Sequence, residues 1–192
     1  ERAHGGDVRV VGSARDALAL ARSLPAREVV FLAVGFETTA PTVAAAIREA
    51  RREGIRNLSF LCAHKTMPRA IRAILSSGER SLDGLLCPGH VTAITGTGIY
   101  RFVAEEFGVP CAVTGFEPVE ILQGVESILR QRLHAGPSVE NCYGRAVREE
   151  GNVRARAIME EVFEESDAEW RGIGRISGSG LSIRPTTGAA PD

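Results

Sequence analysis

The feature that most constrains the fold is a repeated alternation of short apolar runs with helix-period segments over the first two thirds of the chain. Residues 28–34 form a near-continuous apolar run, as expected of a strand buried on both faces. Further apolar runs at 8–11, 58–62, 84–87 and 111–114 read as strands. Helices are expected at 14–24, where Ser13 is the N-cap, at 42–52, closed by Gly54, and at 68–75, 99–107 and 119–133. Strands and helices alternating at this spacing predict right-handed βαβ units, and so an α/β fold with an open parallel sheet of four to five strands in a Rossmann-like three-layer arrangement.

Beyond Gly136 the pattern changes. Residues 139–148 and 153–164 read as helices, residues 172–180 as a Gly- and Ser-rich irregular stretch, and residues 185–192 as a disordered tail. The expected organisation is an α/β domain over 1–136, a helical return segment over 137–184 that belongs to or contacts a neighbouring domain, and the tail. The chain opens on Glu1 rather than Met and has no signal-peptide pattern, so it is expected to be a piece of a longer protein.

Composition removes several function classes. The 192 residues carry a net charge of −1, without the basic excess of a nucleic-acid binder, and 5 % aromatics give little material for base stacking. No apolar run reaches membrane-spanning length. Four cysteines, Cys62, Cys87, Cys111 and Cys142, contain no C-x-x-C, which leaves zinc ribbons and thioredoxin-type motifs unsupported; free thiols in a reducing cytoplasm are expected. The Gly-rich stretches match neither G-x-G-x-x-G nor a Walker sequence, and no G-x-S-x-G elbow occurs.

One internal echo stands out. Residues 29–41 (VVFLAVGFETTAP) and 109–122 (VPCAVTGFEPVEIL) each run from an apolar strand through Gly-Phe-Glu into a helix that opens near a proline. The carboxyl edge of a parallel sheet is where ligands bind. The strands deliver to it Glu37, Thr38 and Thr39, then Cys62, His64 and Lys65, then Cys87, Pro88, Gly89 and His90, then Thr114, Gly115 and Glu117. Each has a structural reading beside the functional one. Glu37, Glu117, Thr38 and Thr39 could cap the helices they precede. Gly35 and Gly115 could permit positive φ or close packing, and Phe36 and Phe116 read as wedges under their turns. His90, aimed by the Pro88-Gly89 turn, is the most suggestive histidine. His64 beside Lys65 is either a surface pair or part of a site, and His134 suits a helix C-terminus. Cys62 and Cys87 lie nearest the expected site, while Cys111 and a helical Cys142 read as packing residues. Two His, two Cys and two Glu at one edge could hold a metal, but their spacing specifies none.

Taken together, the motifs resemble those of the HypD hydrogenase-maturation family. The resemblance rests on Val34-Gly35-Phe36-Glu37-Thr38-Thr39-Ala40-Pro41, on Pro88-Gly89-His90-Val91 and on Val113-Thr114-Gly115-Phe116-Glu117-Pro118. Val139-Glu140-Asn141, Arg145-Ala146-Val147, Glu150-Gly151-Asn152 and Trp170-Arg171-Gly172-Ile173-Gly174 follow in the family's order. The resemblance implies a cytoplasmic scaffold that builds the Fe(CN)2CO unit of [NiFe] hydrogenases with a HypC-type small chaperone and a HypE-type cyanide-transfer protein. It also implies two related α/β domains plus a domain holding a [4Fe–4S] cluster, this chain being the second α/β domain with helices returning toward the first. The family's Cys-Gly-Gly-His-like motif, its Cys-rich turn and its cluster cysteines have no counterpart here. The chain by itself is therefore expected to hold neither cluster nor iron and to supply one wall of the cleft. On that reading Glu37, Thr38, Thr39, His90 and Glu117 carry the chemistry, and Gly35, Pro88, Gly89 and Gly115 shape the binding edge. Two other readings stay open: a self-contained α/β metal-dependent enzyme using His64, His90 and a Glu, and an interaction module docking through the same edge.

Overall fold

The computed structural model describes residues 4–78 and 82–185. The expected disorder of the tail falls on residues 186–192, outside the described residues, apart from Pro185. The α/β class is as the sequence predicts. Helix α1 (Ala14–Ser23) leads to strand β1 (Val29–Gly35), helix α2 (Ala40–Glu53), strand β2 (Leu58–Lys65) and helix α3 (Met67–Ser76). Strand β3 (Leu85–Pro88), helix α4 (Gly89–Thr95), a 3₁₀ turn (Thr97–Tyr100), helix α5 (Arg101–Phe107) and strand β4 (Cys111–Thr114) follow. Helix α6 (Pro118–Arg130) ends in a π turn (Gln131–Ala135) before strand β5 (Val139–Asn141), helix α7 (Val153–Val162) and the hairpin of β6 (Phe163–Trp170) and β7 (Gly174–Ile183).

The strands do not form one sheet. They divide into a mixed four-stranded sheet in the order β1-β2-β7-β6 and a parallel three-stranded sheet in the order β3-β4-β5. The division arises because β2 takes β7 as its second neighbour, antiparallel, with His64 opposite Leu181 and Lys65 opposite Gly180. The strand-forming part of that hairpin is the stretch expected to be irregular, since its Gly and Ser residues hide a ten-residue strand. The expected helix over 139–148 is also corrected. The Cys111 amide donates to Ser138 and the Cys142 amide to Val113, so the open edge of β4 draws this backbone into a strand. The strand expected at 8–11 does not form; Asp7 beside it is ion-paired with Arg9 and Arg27.

Two principal cores result. Helices α1 and α2 lie over one face of β1 and β2, burying Ala17, Leu18, Ala33, Val43, Ala44 and Ile47. The other surrounds β3 and β4 with Cys87, Tyr100, Val103, Cys111 and Val113, and Met67 and Ile71 of α3 pack into it. Helix α3 therefore stays beside β7 of the first sheet while lending its apolar side to the second. No helix among the described residues is long and apolar enough to cross a membrane.

Burial within β1 and α1 sets a measurable contrast. Leu18 is 1 % exposed, whereas Leu32 on the outer side of β1 is 65 % exposed. Leu18→Ala is expected to cost about 2–5 kcal/mol in urea unfolding, and Leu32→Ala less than about 0.5 kcal/mol.

Candidate functional site

The two Gly-Phe-Glu turns stand at the carboxyl ends of β1 and β4, one on each sheet. Their sequences are alike but their environments are not. Glu37 is buried, and its Oε1 accepts the Met67 amide at 2.7 Å. It thus caps α3, the next helix along the sheet, rather than α2, which follows it in sequence. Its Oε2 is buried with no hydrogen-bond partner. Burial pushes this carboxyl above the ordinary range, against the pull of the Met67 amide. Glu117 is exposed at the N-cap of α6, where its amide donates to Glu120 Oε2 at 3.2 Å.

The first turn is held by close approach. A Cβ on Gly35 would lie 2.0 Å from Thr39 Oγ1, and the Thr39 hydroxyl donates to the Phe36 carbonyl at 3.2 Å. Thr39 occupies the N-cap position of α2 without a side-chain capping bond, and Thr38 is half-buried. The expected wedge role of the two phenylalanines is corrected: both rings lie at the surface. Phe36 sits 6.0 Å from Trp170, and Phe116 sits 5.0 Å from His90. The chain leaves each strand with the phenylalanine turned away from the covered face, so an aromatic neighbour replaces core packing.

His64 is not a surface residue. It is 1 % exposed, with Nδ1 3.3 Å from Cys62 Sγ and a buried, unpartnered Nε2. Desolvation lowers its pKa and raises that of Cys62, so a neutral imidazole faces a protonated thiol, which donates to the Leu181 carbonyl at 3.1 Å. Lys65 points the other way along β2: its ammonium lies 5.0 Å from the Trp170 ring and donates to the Glu169 carbonyl.

At the second sheet the edge carries the exposed His90, Phe116 and Glu117 and the half-buried Pro88, while the buried Gly89 and Gly115 lie against Tyr143. A Cβ on Gly89 would come within 2.5 Å of both the Thr114 carbonyl and the Tyr143 ring, and one on Gly115 within 2.8 Å of that ring. Glu120 ties the turn to Arg145, whose Nε donates at 2.9 Å and whose guanidinium lies 5.0 Å from the Tyr143 ring. Sequence reasoning did not place Tyr143 and Arg145 at this edge, because the segment after β5 reads as helix and its true position beside β4 depends on a pairing with no local signal; Glu120 was missed inside the expected helix over 119–133. Cys142 follows β5 in a turn, not a helix.

A buried pair lies behind the second edge. Tyr100 is fully buried with its hydroxyl 3.4 Å from Thr92 Oγ1, and has its pKa raised mainly by burial and further by Cys87 and Glu37. Thr92 in turn donates to the Pro88 carbonyl at 2.9 Å, at the turn that carries His90. The thiols do not make a cluster or metal site. Cys87 and Cys111 are enclosed side by side, with Cys87 pushed far up by its contact with Cys111 and by burial; Cys62 belongs to the other sheet and Cys142 lies apart. No group of three or more His, Cys, Asp and Glu able to hold a metal ion occurs among the described residues; His64 lies on β2 of the first sheet, and His90 in α4 after β3 of the second.

Two outcomes test this geometry. Glu37 holds its proton in the folded chain at pH values where the unfolded chain has released it. Stability should therefore fall as pH rises from the ordinary carboxylate range through the raised value, then level off. Glu37→Gln should remove that decline when unfolding midpoints of the two proteins are compared from pH 4 upward. Gly89→Ala, which drives a methyl into backbone, should cost about 1–3 kcal/mol; Gly115→Ala, opposed first by the flexible end of Glu120, should cost less in the same unfolding assay.

Comparison with known proteins places these motifs. A profile of HypD, described as the hydrogenase formation hypA family, matches residues 1–189. The hydrogenase maturation factor HypD of Rhodobacter capsulatus is 48 % identical over 184 residues, covering 95 % of this chain and 49 % of the relative. The Escherichia coli factor of the same name is 42 % identical over 185 residues, covering 96 % and 50 %, and that of Cupriavidus necator 44 % over 190 residues, covering 95 % and 50 %. The chain thus spans about half the length of these relatives.

Proposed function

The chain belongs to the HypD family, and from that premise we propose that it serves in hydrogenase maturation, as the relatives' names state for them. In this reading it supplies one wall of the cleft in which the Fe(CN)2CO unit of a [NiFe] hydrogenase is assembled in the cytoplasm. A HypC-type chaperone and a HypE-type cyanide donor are the partners, and a [4Fe–4S] cluster would be held by cysteines other than the four described above. The iron unit is cargo here. The observation that carries the reading is the contrast between the two matched turns, one sealed and one open, at the carboxyl edges where ligands of α/β sheets bind.

The roles follow from that contrast. His90, exposed and backed by Phe116, offers a ring N–H to the cyanide nitrogens of the cargo. Glu117 stands on the same open edge and can accept or return a proton there. Thr38 offers a hydroxyl at the first turn, which Thr39 braces by donating its own to the Phe36 carbonyl. Glu37 acts from beneath: its carboxyl holds the start of α3, and so fixes the first turn against the second sheet. Gly35, Pro88, Gly89 and Gly115 allow the approaches that set these turns. A metal-dependent enzyme built on His64, His90 and a Glu has no support in this arrangement.

The test uses the full-length Rhodobacter capsulatus relative in a strain lacking its own copy. Replacing the residues matched to His90 and to Glu37 by Ala should each lower mature hydrogenase activity at least about tenfold, the size of a lost hydrogen-bonding or positioning contact, with protein abundance unchanged. Normal hydrogenase activity in both variants would contradict the reading.

A further inference from the structure

The segment between β5 and α7 is tied into a compact loop that carries Arg145 to the second edge. Asn141 holds the loop at both ends: its Oδ1 accepts the Tyr143 amide at 3.0 Å, and its Nδ2 donates to the Val147 carbonyl at 2.9 Å. The Ala146 and Val147 amides both donate to the Tyr143 carbonyl at 3.0 Å, and Val147 is buried in the second core. The loop so fixed sets the Tyr143 ring against Gly89 and Gly115 and leaves Arg145 at the surface over that ring. Gly89 precedes His90, and Gly115 precedes Phe116 and Glu117, so Arg145 shares this edge with them.

One side of the Arg145 guanidinium is committed. Its Nε and Nη2 both donate to Glu120 Oε1, and the Tyr143 ring centre lies 5.0 Å away. A planar group bonded along one edge turns its other edge away. Nη1 accordingly has no hydrogen-bond partner among the described residues. The Glu120 side chain is 12 % exposed and that of Arg145 67 %. Neutralising a sheltered carboxylate explains the bonded edge of the guanidinium but not the open one. An ion pair with an exposed arginine contributes little to stability. What the arrangement provides is a cation whose plane is set in advance, and a guanidinium held in this way loses little freedom on meeting an anion.

We propose that Arg145 is an anion-binding residue of the second edge, donating from the open side of its guanidinium to a cyanide nitrogen of the iron cargo while Glu120 and Tyr143 hold it in place. The inference rests on the function proposed above and adds to it a charged donor beside His90. A cyanide bound to iron carries a lone pair outward on nitrogen, so it accepts a charge-assisted hydrogen bond. Lysine would not serve, since one ammonium on a flexible stem does not span Glu120 and the anion in a fixed plane.

The test uses the full-length Rhodobacter capsulatus relative in a strain lacking its own copy, with the residue matched to Arg145 replaced. Arg145→Gln should lower mature hydrogenase activity at least about tenfold, the size of a lost hydrogen bond to a charged group. Arg145→Lys should recover no more than a part of it. Urea unfolding midpoints of both variants should match that of the unsubstituted relative, as expected when an exposed ion pair is removed. Infrared spectra of the purified relative give a second reading: the C≡N stretching bands of its bound iron unit should shift or disappear in Arg145→Gln. Full activity in either variant, or unshifted bands in Arg145→Gln, would overturn the inference. So would a fall in unfolding midpoint that accompanies the loss of activity, by making Arg145 a structural clamp. Loss of activity on replacing the residue matched to His90, with none on replacing Arg145, removes this inference alone. Absence of cyanide bands from the unsubstituted relative removes the proposed function with it.

Discussion

The arrangement depends on one buried contact, the Met67 amide donating to the Glu37 carboxyl at 2.7 Å. Glu37 leaves the end of β1, and Met67 begins α3. That helix follows a strand of the first sheet, but Met67 and Ile71 pack against Cys87, Tyr100 and Val103 of the second. The contact therefore fixes one sheet's ligand-binding edge with respect to the other sheet's core. A carboxyl at a helix start is favoured by the unpaired amides there, while its burial is costly to the charged form. The orphaned Oε2 is the visible sign of that opposition.

The Gly-Phe-Glu echo shows how far one local pattern can diverge once tertiary surroundings differ. Both copies end a strand and open a helix, and in both the phenylalanine finds an aromatic neighbour at the surface. Only the first glutamate is drawn inward, because α3 begins beside it with free amides. At the second turn Glu120 reaches back to the Glu117 amide, and Arg145 engages Glu120 from the far side of Tyr143. The outcome is one glutamate that positions and one that meets solvent.

What could be read in the sequence was what local pattern controls. The periodicities place α1, α2, α3, β1 and β4 within a few residues, and Ser13 caps α1 as expected. Pairing was not legible. Residues 139–141 become strand only because β4 has an open edge. The Gly- and Ser-rich stretch at 174–183 becomes a strand because β6 and β2 flank it, and a chain pattern cannot say that β2 will take β7 rather than β3. The candidate edges were located for the right reason, since Glu37, His90 and Glu117 do follow strand ends. Their burial was not: His64 is sealed where a surface pair was one expectation, and Tyr143 was hidden inside a segment read as helix.

The most direct measurement is the titration of the Glu37 side chain itself, by carbon NMR of its carboxyl in the folded chain. The chemical shift should remain that of a protonated acid across the ordinary carboxylate range, then change at higher pH. A Glu37 carboxyl that titrates within that ordinary range would contradict a buried, partly unpartnered acid, and with it the contact that holds the two sheets in place.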